Sequence, residues 1–266
     1  MTMSLDAIRS ELNASLSSAA PGLSTADALC ATCVGVLDVD GAAMSVILDG
    51  ASSGTFGSSN ETSRRLDEYQ FTFGEGPCLD AVTQGSPVLV PDLEALSERR
   101  WPAFRDAVLS DGIRGVFAVP IVVTSECVGA LDLYRVRPGP LDDLVLAGAH
   151  LAAELATAPL LDLLAEDVAA EAGRQDGAED DPLTRRDADG GTSEMDRVEV
   201  YQATGMLISA LDVDADEALL RLRAHAISSG LTATEVARAI IERRLVLDRD
   251  DRPGSPGSSR PGGSTP

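Results

Sequence analysis

The hydrophobic pattern of the first half of the chain alternates between helical and strand spacing. Apolar residues three or four positions apart predict one helix within residues 5–16, and residues 24–37 predict a second. Residues 42–48 have the composition of a strand, which ends at the turn signal Asp49-Gly50. A long run of Leu and Ala predicts a final helix over residues 141–171.

Between these elements the pattern predicts further strands and one more helix. Residues 87–90 predict a short strand and residues 101–109 a helix. Two apolar runs, 116–123 and 127–136, are separated by only three residues and therefore predict a hairpin. Antiparallel strands mixed with helices indicate an α+β domain built on one central sheet.

The C-terminal part predicts three helices in a compact all-α unit. A cap residue and a carboxylate three positions later satisfy the free amides of a helix start. Three pairs have this spacing: Ser193 with Asp196, Asp214 with Glu217, and Thr232 with Glu235. Gly230 follows the second helix, where a left-handed residue commonly ends a helix.

Changes in composition divide the chain into four parts. Residues 1–170 form the predicted α+β domain, with a helix at each end, and residues 193–247 form the three-helix domain. Residues 171–192 are acidic and Gly-rich without an apolar period, which is typical of a linker. Residues 248–266 are rich in Pro, Gly and Ser and are interpreted as a disordered tail.

Charge restricts the partners that this chain can bind. All 21 basic side chains among its 266 residues are Arg, against 43 Asp and Glu, which gives a net charge of −22. Such a chain is not expected to bind nucleic acid through a broad positive surface, so any such contact must be local. No uninterrupted apolar run approaches membrane-spanning length, and we expect a cytoplasmic protein without a membrane partner.

Cysteine and histidine are too sparse to indicate a metal site or a catalytic centre. Cys30 and Cys33 have the two-residue spacing of redox and metal motifs, but they lie in an apolar helix and are interpreted as buried structural thiols. Neither histidine lies near Glu75, Asp80 or Asp92 in the sequence, and no phosphate-binding loop is present. The sequence therefore predicts no catalytic residues, no metal and no enzyme, and it identifies no cofactor.

Five motifs in order make residues 24–158 resemble a GAF sensor domain. They are GEGPCLDA at 74–81, PVLVPDL at 87–93, Trp101-Pro102, VFAVPI at 116–121 and VGALDLY at 128–134. The resemblance implies a small-molecule pocket enclosed by loops and helices over one face of the sheet. Candidate ligand residues are Glu75, Cys78 and Asp80, although the favoured explanation of the GEGPC turn is structural, as a tight entry to a helix. Cys78 would become a thiol sensor if a helix N-terminus favoured its thiolate.

The three-helix unit resembles the ANTAR domain of transcription antiterminators. The matching residues are YQATGML at 201–207, DEA at 216–218 ahead of Leu222-Arg223, and EVA at 235–237 ahead of Ile240-Ile241. The resemblance implies binding to nascent RNA with two small stem-loops, and a dimer that raises RNA affinity. Thr204 stands where the family commonly has Lys, which removes a phosphate-binding charge.

Small and polar residues in the matching helices are the candidates for RNA contact. The predicted set is Gln202, Ala203, Thr204, Gly205 and Arg223, with Arg197 and Arg221 as weaker phosphate contacts. Ala203 and Gly205 also fit close packing between helices. Arg223 falls on the apolar side of its helix, where either a buried ion pair or a partner would explain it.

These features together predict a signal-responsive antitermination regulator. Its GAF-like domain would sense a small molecule or a redox signal, its ANTAR-like domain would bind RNA stem-loops, and the chain would form a homodimer. The helix over residues 141–171 is expected to transmit the signal. A different class of function stays open, in which the three helices bind a protein partner and the acidic surface repels RNA.

Overall fold

The computed structural model describes residues 3–19, 23–48, 51–163, 165 and 197–247. The contacts between residues group the chain into two compact units, Met1–Arg197 and Val198–Pro266. The predicted linker, the tail, the turn at 49–50 and the Ser193–Asp196 pair all lie outside the described residues. The predicted domain boundaries therefore stay predictions, and each unit is considered by itself.

The first unit contains a five-stranded antiparallel sheet. Its strands are β1 (Gly41–Leu48), β2 (Ala51–Ser58), β3 (Val88–Val90), β4 (Gly115–Val123) and β5 (Glu126–Arg135). The strand order is β2-β1-β5-β4-β3, so the predicted β4–β5 hairpin lies in the middle of the sheet. Thr124 and Ser125, between the two strands, both have positive φ.

Six of the described helices pack around the sheet. They are α1 (Leu5–Ser18), α2 (Leu23–Val36), α3 (Glu61–Phe73), α4 (Pro77–Gln84), α5 (Pro102–Ser110) and α6 (Asp143–Leu155). Alternate residues of a strand point to opposite faces, so one strand serves two cores. On β4, Phe117 and Val119 pack into one core with α1, α2 and α6, while Val116 and Ala118 pack into the other with α4 and α5. The predicted α+β class is confirmed.

Two elements of this unit were not predicted from the sequence. Strand β2 reads ASSGTFGS and offers no run of apolar residues, and α3 carries six charged or amide side chains among its 13 residues. A tertiary hydrogen bond links the two, because the Asp67 carboxylate of α3 accepts from the Thr55 hydroxyl of β2. Asn60 caps α3 by accepting a hydrogen bond from the Ser63 amide at 2.8 Å, and Gly74 ends α3 with a φ of +65°.

The predicted helix over residues 141–171 is shorter and interrupted where the structure describes it. Helix α6 ends at Leu155, Ala156 breaks it, and residues 157–163 are helical again. Residue 164 and residues 166–171 lie outside the described residues. By length and composition alone the stretch Asp143–Leu163 would suffice to cross a membrane. Half of its most apolar 18-residue segment is buried, however, as in the core helix of a globular domain.

The second unit contains the three predicted helices. They are α7 (Val198–Leu211), α8 (Ala215–Ser229) and α9 (Ala233–Ile241). Asp214 caps α8 by accepting a hydrogen bond from the Glu217 amide, and Thr232 and Glu235 form a reciprocal capping box at α9. Gly230 ends α8 with a φ of +65°. The sequence signals for these starts and stops are confirmed.

Gly129 offers a test of the central pairing of β1 with β5. A Cβ atom at this position would lie 2.2 Å from the backbone oxygen of Ser45, which the sheet holds fixed. We expect Gly129→Ala to lower the free energy of unfolding by about 1–3 kcal/mol. Urea denaturation, monitored by the fluorescence of Trp101, measures this change in the free energy of unfolding.

Gly35→Ala is the matched control, because nothing lies within 4 Å of a Cβ atom at that helical position. It should leave stability unchanged or raise it by up to about 1 kcal/mol. Equal stability of Gly129→Ala and the wild type would contradict the close approach of the two strands.

Candidate functional site

Helix α7 presents three neighbouring exposed residues, Tyr201, Gln202 and Gly205, which we call the exposed strip. Residues three and four positions apart lie side by side on a helix, so Gly205 lies beside both of the others. The Tyr201 residue is 53% exposed, and nothing lies within 4 Å of a Cβ atom at Gly205. The strip therefore combines an accessible ring, an accessible amide and an accessible backbone.

Ala203 and Thr204 lie on the opposite side of this helix and are buried. The Thr204 hydroxyl donates to the Val200 carbonyl oxygen at 2.7 Å, which satisfies it inside its own helix. This burial corrects the expectation that both side chains are available for direct RNA contact. The position where the family commonly carries Lys is an interior position in this chain.

The two arginines predicted on helix α8 have different surroundings. Arg221 forms an ion pair with Glu217, one turn earlier, at 2.6 Å, and its side chain is only 18% exposed. Most of its surface is therefore covered by the protein, which leaves little of it for a phosphate contact. Arg223 is partly exposed and follows the fully buried Leu222. It keeps the position on the edge of the apolar face that its sequence spacing indicated.

Arg197 is the clearest departure from the predicted RNA set. Its guanidinium belongs to the first unit, where it donates to Asp67 Oδ2 at 2.9 Å and to Glu68. The Cζ atom of this guanidinium lies 3.9 Å from the centre of the Phe71 ring. Because the side chain is buried, Arg197 is not placed to contact an RNA phosphate in this structure.

Asp67 belongs to a cluster that we call the buried carboxyl site: Asp67, Gln70, Cys78 and Asp132. Asp67 accepts hydrogen bonds from the hydroxyls of Ser45 and Thr55, each at 2.5 Å. Gln70 donates to Asp132 Oδ2 at 2.9 Å and accepts from the Cys78 amide at 2.8 Å. One potential ligand atom from each of Asp67, Cys78 and Asp132 lies within 4.8 Å of the others.

Sequence reasoning missed most of this site, although one signal pointed to it. Asp132 stands between Leu131 and Leu133 in an apolar strand. A charged residue inside a buried strand is stable only with a hydrogen-bond donor or an opposite charge beside it. Asp67 and Gln70 gave no such signal because α3 reads as a polar surface helix.

The predicted ligand residues Glu75 and Asp80 both have contacts within the protein. Glu75 Oε1 accepts hydrogen bonds from the amides of Ala103 and Phe104, at 2.7 and 3.0 Å, and so caps the start of α5. Asp80 lies 4.0 Å from a guanidinium nitrogen of Arg100. The Glu75 contacts favour the structural explanation of the GEGPC turn.

Cys78 lies in the first turn of α4, as a thiolate sensor would require, but its environment opposes ionisation. Burial, followed by the negative charges of Asp132 and Asp67, raises the pKa of the Cys78 thiol well above its usual value. Burial also raises the pKa of Cys30 strongly and that of Cys33 to about 12. Buried structural thiols are thus confirmed at Cys30 and Cys33, and the thiolate interpretation of Cys78 loses its support.

Two family patterns match this chain. The GAF domain pattern matches residues 12–158, more than half of the chain, and the ANTAR domain pattern matches residues 194–241. The chain belongs to the GAF domain family and carries an ANTAR domain. This GAF–ANTAR architecture is that of a regulator of the antitermination type in general. The exposed strip lies within the ANTAR match, and the buried carboxyl site lies within the GAF match.

Solved structures similar to this GAF–ANTAR protein include bacterial GAF domains. One, from a phosphoenolpyruvate-protein phosphotransferase of Coxiella burnetii, is 19% identical over 59% of this chain and 95% of its own, with a TM-score of 0.43. Another, from an Acinetobacter phosphoenolpyruvate-protein phosphotransferase, is 13% identical over 65% and 99%, with a TM-score of 0.45. A search of curated proteins finds no match.

Thiol labelling tests the burial of the cysteines. Cys30, Cys33 and Cys78 are buried and Cys127 is partly exposed. At neutral pH we expect iodoacetamide to modify Cys127 alone in the native protein, because alkylation needs an accessible thiolate. Mass spectrometry of tryptic peptides identifies the sites, and a denatured sample should show all four modified. Rapid native labelling of Cys78 would restore the thiol-sensor interpretation.

The carboxyl of Asp132 predicts a pH dependence of stability. Burial, followed by the charge of Asp67, raises its pKa to about 8, whereas the pKa in an unfolded chain is about 4. Between these values the native state holds a proton that the unfolded state has released. The free energy of unfolding should therefore fall as the pH rises across this range, by at most about 1.4 kcal/mol per pH unit.

Asp132→Asn keeps the shape of the neutral acid and should remove this contribution. Urea denaturation of both proteins at a series of pH values, followed by Trp101 fluorescence, measures the difference in slope. Identical slopes would show that Asp132 does not hold a proton in the native state.

Proposed function

We propose that this GAF–ANTAR protein binds nascent RNA stem-loops through α7 and thereby favours an antiterminator over a terminator. The observation that carries the proposal is the exposed strip, which lies on the first described helix of the ANTAR match. RNA loops are read through splayed bases that stack on aromatic rings and accept or donate hydrogen bonds. Tyr201 offers the ring, Gln202 the amide, and Gly205 close access to the backbone.

Charge supports a local contact rather than a broad one. Residues 194–247 carry nine acidic side chains and six arginines, so this stretch has no net positive charge to attract RNA. Stacking and hydrogen bonding to unpaired bases need fewer charges than binding to a duplex backbone does. Arg223, beside the apolar face of α8, is the cation that we assign to the RNA contact.

The GAF domain supplies the sensing half of the proposal. GAF domains generally bind small ligands, and a ligand acts only through its different affinity for two arrangements of the protein. We propose that the chain works as a cytoplasmic homodimer without enzymatic activity, and that ligand binding changes its RNA affinity. The absence of Lys and the distance in sequence between both histidines and the GAF motifs support a regulatory rather than a catalytic role.

A second candidate function is binding to a protein partner through α8. Leu220 is 65% exposed and Ile227 is 47% exposed, and their separation of seven positions places both on one side of this helix. Exposed apolar side chains grouped on one face are typical of a protein interface. A stable complex that survives ribonuclease and is lost in Leu220→Asp would favour this function.

The RNA proposal is tested by titrating the full chain against an RNA with two adjacent small stem-loops at fixed, low salt. We expect Tyr201→Ala to weaken binding by about tenfold, because the stacking of one base contributes about 1–3 kcal/mol. Gln202→Ala should also weaken binding, through the loss of base hydrogen bonds. Both side chains are exposed, so far-UV circular dichroism should be unchanged.

Arg244→Ala is the control for loss of an exposed side chain, because Arg244 lies outside the ANTAR match and pairs with Glu242. Its RNA affinity should equal that of the wild type. Absence of RNA binding by the wild type, or equal affinities for all variants, would contradict the proposal and favour the protein partner.

A further inference from the structure

The buried carboxyl site already holds one cation, the side chain of Arg197. Its guanidinium contacts two successive carboxylates of α3, Asp67 and Glu68, and its flat face lies on the Phe71 ring. Two carboxylates at the edge and an aromatic ring against the face suit a planar, delocalised cation better than a spherical one. The site is therefore built for a guanidinium group.

The walls of this site do not depend on Arg197. Ser45 comes from β1, Thr55 from β2, and Asp67 and Phe71 from α3, all of them more than 120 positions earlier in the chain. The two hydroxyls hold the Asp67 carboxylate in place through hydrogen bonds at 2.5 Å. If Arg197 leaves, the same carboxylate stays buried and unpaired, which is unfavourable until another cation arrives.

A second buried acid group lies within reach. Asp132 is only 8% exposed, and its Oδ1 atom has no nitrogen or oxygen hydrogen-bond partner among the described residues. Such a group is rare inside a protein and marks a hydrogen-bonding position open to a ligand, as an acceptor when the acid is ionised and as a donor when it is protonated. The site offers more hydrogen-bonding capacity than the described contacts use.

A divalent metal fits this site less well, although three potential ligand atoms converge there. Both oxygens of Asp67 already accept hydrogen bonds from hydroxyl groups, and the Gln70 amide donates to Asp132. The Cys78 thiol would have to lose a proton beside two acid groups in order to bind a metal. These donors suit a ligand that brings its own N–H groups.

We propose that the buried carboxyl site is a receptor for small guanidinium compounds, and that Arg197 is an internal ligand that competes with them. This inference names the class of signal for the sensing half of the proposed function, and it rests on that function. An external guanidinium compound must displace a tethered one, so its apparent affinity for the wild-type chain is reduced by the occupancy of Arg197. Arg197 directly precedes the first residue of α7, Val198.

Chemical rescue of Arg197→Ala in the full chain tests this proposal. The variant leaves Asp67 buried without its cation, so we expect its melting temperature to lie below that of the wild type. Methylguanidinium chloride at millimolar concentration should restore it, measured against sodium chloride at equal ionic strength. Calorimetric titration should show saturable binding to the variant, at least about tenfold tighter than to the wild type. Arg221→Ala, which removes a partly exposed arginine of α8, should show neither effect.

Variants of the walls show where the probe binds. In the Arg197→Ala background, Glu68→Gln removes one carboxylate charge near the edge of the site and should weaken methylguanidinium binding severalfold while the protein stays folded. Asp67→Asn should abolish binding. If Asp67→Asn fails to fold, Phe71→Leu, which removes the ring beneath the guanidinium, serves in its place and should weaken binding.

Several results would overturn the proposal. These are a folded Arg197→Ala protein without saturable methylguanidinium binding, equal affinities of wild type and variant, and equal binding of methylammonium. Binding of Zn²⁺ or Mn²⁺ in place of methylguanidinium would assign the site to a metal. No RNA is present in these titrations, so their outcome is independent of the RNA test of the proposed function.

Discussion

The first unit is organised around a carboxylate that is removed from water and must be compensated. Asp67 is fully buried, and its two oxygens accept hydrogen bonds from hydroxyls on two neighbouring strands. An ionised group in such a place is stable only where hydrogen bonds and a cation replace its hydration. This requirement fixes α3 over β1 and β2, and it explains why a helix with a polar sequence lies against a sheet.

The same constraint links structure to sensing. A buried polar cluster whose hydrogen bonds all come from neighbouring side chains is rigid. A cluster whose charge is neutralised by one residue distant in sequence can exist in two states, with that residue bound or released. Here the hydroxyl partners of Asp67 belong to the sheet, but its cation belongs to residue 197, at the far end of the unit. This arrangement is the basis of the proposal that the GAF domain responds to guanidinium compounds.

The glycine-rich GEGPC motif has a different role from the one its position first suggested. Glu75 caps α5, Gly76 has a φ of +148°, and Cys78 is buried in the first turn of α4. The motif folds two helix starts against each other and brings the Cys78 amide to Gln70. It shapes the buried carboxyl site without supplying the cation-binding groups.

The sequence by itself determined the elements whose signals are local. Apolar period, cap residues and turn residues act over a few positions, so α1, α2, the β4–β5 hairpin and the three C-terminal helices could be predicted from them, as could the two family resemblances. It also determined that nucleic-acid contact cannot depend on a broad positive surface, because net charge needs no coordinates. Only the tertiary structure decided that β2 and α3 form, that Ala203 and Thr204 face inward while Tyr201 and Gln202 face outward, and that Arg197 neutralises a carboxylate 130 positions away. These outcomes depend on residues that only folding brings together. The sequence around a buried charged residue does not indicate which distant residue will neutralise it.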